Sequence, residues 1–130
     1  MLIFGHRFIP SDSFYHIQDI ESISNTPPSS VIHIEFGEEN LDIITHTNLN
    51  QIPTSICAKN ITQIIYASSF NASFIVVHSE IAKTAQKIAN EYLFDAKILV
   101  LIEDEEEIEE LALLGVDGVI FSSAIIKINS

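Results

Sequence analysis

From residue 53 onward, short β-branched runs alternate with segments of helical spacing, and this beat constrains the fold more than any other feature of the chain. The runs occupy 53–57, 73–78, Lys97–Ile102 and Gly118–Phe121. Over 79–94, Ile81, Ala85, Ile88 and Tyr92 recur at the intervals of one helical stripe, with Lys83, Gln86, Lys87 and Asn90 on the other side. Ser79 is the expected cap of that helix, with Glu80 in its first turn. Asn60 is the expected cap of a helix over 60–70 that turns Ile61, Ile64, Ile65 and Ser68 inward. A third helix, over 104–114, points Ile108, Leu111 and Ala112 inward and stops at Gly115 in the left-handed conformation. The order βαβαβαβ requires right-handed crossovers and a parallel sheet covered by helices.

Upstream, a strand over 31–36 follows the breaker cluster at 25–30, and Leu41–Leu49 reads as a helix with Leu41, Ile44 and Thr45 inward. Residues 2–8 read as a first strand. The stretch 10–24 supports two readings: a weak helix through Phe14, Ile17, Ile20 and Ile23, or a short edge strand over 14–17. The expectation is a single α/β domain spanning 1–130, with a mostly parallel sheet of five or six strands. The sheet is either an open doubly wound one or part of a βα barrel, because a complete eight-stranded barrel takes about 200 residues or more.

Composition removes several function classes. Eighteen acids against six bases give a net charge of −12, and no Lys/Arg cluster is present, so nucleic acid and anionic membrane are poor partners. The apolar run 98–102 is far short of a membrane span of about 20 residues. The first residues lack the pattern of a signal peptide, and the single cysteine, Cys57, cannot form an intrachain disulfide; a cytoplasmic location is expected. The acidic block 103–110 lacks the ligand spacing and turn glycine of a calcium loop, and reads as a solvated helix start. The sequon Asn71-Ala72-Ser73 has no accompanying secretory signal.

Residues 98–122, ILVLIEDEEEIEELALLGVDGVIFS, together with His6-Arg7 on the apolar lead Leu2-Ile3-Phe4, carry a family likeness. They resemble phosphate-ester βα barrels, glycerophosphodiester phosphodiesterases in particular, in which an acidic helix leads into a Gly-Val-Asp-Gly strand. The resemblance implies barrel-like architecture, a metal-assisted phosphoric-ester hydrolase or a binder of small phosphorylated ligands, and a metal-binding carboxylate at Glu35. The sequence departs from the family pattern at Phe8, which replaces a glycine, and at Gly37, which replaces the second metal carboxylate.

Functional side chains of parallel α/β proteins sit at the C-terminal ends of the strands. His6, Arg7, Glu35 and His78 are the candidate catalytic residues there, able to act as an acid–base or metal-holding group if they converge. His33 lies two residues before Glu35 and shares its face of the strand. Glu103, Asp104, Ser122 and Ser123 occupy similar positions. Cys57 reads as a small core residue, with a nucleophile as the alternative. Four scattered glycines form no phosphate-cradling loop, and no cofactor is indicated. With no complete catalytic motif, the first expectation is a non-enzymatic module that self-associates or binds a protein partner. The apolar tail 124–128 would then cover itself in a homodimer, or else fold back over its own sheet edge.

Overall fold

The computed structural model describes residues 1–128. The strands are β1 (Leu2–Phe4), β2 (Phe14–His16), β3 (Val31–Glu35), β4 (Thr54–Cys57), β5 (Phe74–Val77), β6 (Lys97–Ile102), β7 (Gly118–Phe121) and β8 (Ile125–Lys127). The helices are α1 (Leu41–Leu49), α2 (Ile61–Ser69), α3 (Ala82–Glu91) and α4 (Ile108–Leu114). All strands join one parallel sheet in the order β1-β7-β6-β5-β4-β3-β2-β8. No helix among the described residues is long and apolar enough to cross a membrane.

The sheet has eight strands, not the five or six expected. The two extra strands are β2, inside the ambiguous 10–24 stretch, and β8, in the apolar tail; each has three residues, too few for alternation to stand out. β2 is no edge strand, since it pairs with both β3 and β8. The tail therefore takes the fold-back option and lies along its own sheet.

The sheet curls into a half-barrel with helices on its outer face alone. Ile32, Ile34, Ile56, Ile75, Val77, Ile98, Val100 and Val119 point outward into one core with Ile43, Ile44, Ile64, Ala67, Ala85 and Leu111 of the helices. The alternate residues Phe14, Val31, Cys57, Val76, Leu99 and Ile120 form a second core that contains no α-helical residue. Phe4 and Phe14 show the curl directly. Five strands separate β1 from β2 in the sheet, yet their rings lie 5.0 Å apart, and Phe74 packs 5.4 and 5.2 Å from them.

Local signals placed the helix ends well and the buried stripes less well. Asn60 caps α2 by accepting from the Gln63 amide, and Gly115 ends α4 at φ +80°. Asp104 and Glu107 form a capping box at the start of the acidic helix, whose glutamates stay on the surface. Ser79 is not the cap of α3; it begins a 3-10 turn, and the buried stripe moves to Ala82, Ala85, Gln86 and Ala89. The three alanines present a small-residue face to the sheet. Tyr92 and Ala112 are exposed, and on α1 the inward residues are Ile43, Ile44 and Thr47, with Leu41 and Thr45 outside.

The Gly-Val-Asp-Gly element has a structural job. The Asp117 carboxylate accepts from the Ile98 amide at 2.9 Å, its amide donates to Gln86 Oε1 at 2.9 Å, and its carbonyl accepts from the Leu2 amide at 2.9 Å. One residue thus ties β6, α3 and β1 together where β7 begins. At Gly118 an added Cβ would stand 2.6 Å from the Leu2 carbonyl oxygen and 2.8 Å from a Leu99 methyl, so glycine is required by the close approach of β1 and β6.

Candidate functional site

Strand register assembles the upper interior in layers. His16 is the register partner of His33 and of Lys127, and His33 is the partner of Ser55. One rung nearer the C-terminal ends, Glu35 is the partner of Cys57. Register partners on adjacent strands lie about 4.8 Å apart and face the same way, so these side chains all project inside the curl. Phe14 and Val31, one rung below His16 and His33, floor this polar layer.

Above it opens a cavity of about 490 Å³, within the range of small-molecule sites. His16, His33, Glu35, Glu39, Cys57, Lys59, His78, Ser122 and Lys127 supply its polar wall. Glu35 and His78, two of the four candidates expected from the sequence, meet here. His6 and Arg7 do not. The His6 Nδ1 accepts from the Phe8 amide at 3.1 Å, which leaves Nε2 as the donor to Glu105 Oε2 at 2.6 Å. The His6 ring rests between Phe8 and Phe121, and the Arg7 guanidinium stacks 4.6 Å over Phe8. His6 therefore tethers the end of β1, and both residues stand outside the cavity wall. Glu103 reaches it only indirectly, by accepting from the Ser122 hydroxyl at 2.7 Å.

The electrostatics of the layer follow from burial. His33 falls to about 4, because burial disfavours the imidazolium and neighbouring His16 adds repulsion. His16 is lowered by burial too, with Glu35 opposing and Lys127 assisting. Burial pushes the Cys57 thiol up to about 12; the Glu35 charge and a hydrogen bond to Glu35 act the same way, against Lys59. The thiol is therefore protonated at neutral pH and is no free nucleophile, while His33 is a neutral imidazole. Its Nδ1 lies 3.0 Å from the Ser55 hydroxyl, and the His16 ring stands edge-on to it at 5.3 Å.

His33, Glu35 and Cys57 each place one ligand-type atom within 4.8 Å of the others. Sequence reasoning saw that His33 and Glu35 share a face, but it assigned Cys57 to the core and missed His16, Lys59 and Lys127. His16 lay in the ambiguous stretch and Lys127 in the tail, where no strand was assigned. Cys57 does belong to the inner core, and it also faces the cavity. No protein-family model matches the chain, and no curated protein matches its sequence.

Proposed function

We propose that the protein binds a small phosphorylated ligand in the cavity at the strand C-terminal ends. The reading rests on one contrast in charge. Two of the chain's six Lys/Arg residues, Lys59 and Lys127, line this cavity against only two of its eighteen acids, Glu35 and Glu39, and the buried His33 beside them is neutral and adds no repulsion. In a protein of net charge −12, such a balanced wall repels an anion less than the chain's average charge would. Lys59 and Lys127 act as flexible point charges for phosphate oxygens. His78 can donate a hydrogen bond beside them, and the apolar residues Phe36, Val76, Leu101 and Ile125 take the carbon skeleton. The self-associating reading has less support, since the tail on which it depended is paired within the chain as β8.

Titration of isotope-labelled protein with glycerol phosphate, followed by amide chemical shifts, tests the proposal. Saturable shifts are expected around Lys59, His78, Ser122 and Lys127, and a Lys59→Gln/Lys127→Gln variant should bind at least about tenfold more weakly, given the strength of charge-assisted hydrogen bonds. Identical shifts with neutral glycerol, or none at millimolar ligand, would reject it.

A further inference from the structure

We propose that His33, Glu35 and Cys57 form a binding site for a thiophilic divalent transition metal, with zinc the best-matched ion, on the floor of the cavity. The site does not depend on the phosphorylated-ligand reading. It follows from the donor set, its second layer of contacts and its position.

The donor set is one imidazole, one carboxylate and one thiol, on adjacent strands, with ligand atoms within 4.8 Å of one another. Tetrahedral zinc at about 2.0–2.3 Å from each ligand holds them roughly 3.3–3.8 Å apart. Closing the set therefore takes shifts of about an ångström, the scale of side-chain rotation. The Cys57 thiol faces its register partner Glu35 and carries its proton. A metal ion replaces that proton: the S–H bond breaks, a sulfur–metal bond forms, and the proton leaves to solvent.

The second layer is also in place. His33 Nδ1 is held by Ser55, and both residues are buried, at 3% and 0% exposure. With Nδ1–H donated to the Ser55 hydroxyl, the Nε2 lone pair is free to ligate, which is how metal-binding histidines are usually oriented. The set supplies three protein ligands, all of which line the cavity together with His16 and His78, so a fourth ligand would come from the cavity. Three protein ligands with one open position is the arrangement of a reactive zinc, whose bound water loses its proton near neutral pH. A thiolate and an imidazole also select against magnesium and calcium, which need several oxygen ligands. The site therefore differs in kind from the carboxylate site suggested at Glu35 and Gly37 by the family resemblance.

The test uses the full chain, reduced, stripped with chelator and titrated with cobalt(II) as a spectroscopic stand-in for zinc. Expected results are saturation at one ion per chain, a near-ultraviolet thiolate-to-cobalt charge-transfer band, visible bands of four-coordinate intensity, and displacement by zinc but not by magnesium. Release of one proton from Cys57 per ion at pH 7 gives an independent reading in the wild-type protein. Cys57→Ser should abolish the charge-transfer band and weaken binding, and Ser55→Ala should weaken it about 10–100-fold while leaving the band in place. Circular dichroism confirms that each variant is folded. Lack of a charge-transfer band in the wild-type protein, or binding unchanged in a His33→Gln/Cys57→Ser variant, would overturn the proposal in favour of adventitious binding to surface acids.

Discussion

His33 and Ser55 lie directly opposite each other on β3 and β4, with Nδ1 and Oγ 3.0 Å apart and both side chains buried. The contact fixes the imidazole ring in an interior that disfavours its protonation. It therefore links the stability of the fold to pH.

In metal-free protein with chelator present, stability should fall as pH drops from about 6.5 to about 4. The folded-state value of His33 is depressed to about 4, whereas in the unfolded chain the imidazole protonates near 6.5. Over that window the unfolded chain binds more protons, so the contribution is full above 6.5 and lost by 4. The shift corresponds to a few kcal/mol for a residue this buried. His16, lowered by burial, acts in the same direction. Urea denaturation at successive pH values measures the effect, and His33→Gln should flatten the slope; an equal slope in wild type and variant would contradict the assignment.

Cys57 should be nearly inert in the native metal-free protein. A thiol at about 12 carries about three orders of magnitude less thiolate at pH 8 than an ordinary cysteine. Alkylation timed in native buffer and in urea makes the comparison. Equal rates in the two would show that the thiol is neither buried nor raised.

Gly118→Ala should destabilise the fold by about 1–3 kcal/mol, the usual range for overpacking. The new methyl group meets the Leu2 carbonyl at 2.6 Å, and backbone yields less readily than a flexible side chain. Gly115→Ala meets no steric neighbour, but it carries the cost of a left-handed φ of +80°. Thermal unfolding of the two variants separates crowding from backbone strain, with Gly118→Ala expected to lose more.

Asp117→Ala removes the acceptor of the Ile98 amide and should cost about 1–3 kcal/mol, the range for a polar group left unpaired. Amide exchange should quicken at Ile98, where β6 begins. Unchanged protection there would mean that the carboxylate contributes little to holding the strand.

The parallel α/β class, the strands from β3 to β7, the Asn60 cap and the Gly115 stop are legible in the residues themselves. Each of these depends on neighbours within a few residues, so composition and period suffice to mark them. The alternation of β3 likewise set His33 and Glu35 on one face before any partner was known. Tertiary structure alone decided the rest. Placing Cys57 beside Glu35 and His16 beside His33 required strand register, which is settled by packing between segments distant in sequence. β2 and β8 exist because a curled sheet offers them partners on which to pair, not because three residues prefer to be extended. Curling also separates the candidates. It turns Glu35 and His78 into the cavity, while Arg7 stacks on its neighbour Phe8 and His6 ends up against Glu105, a contact made possible only once β1 lies beside β7.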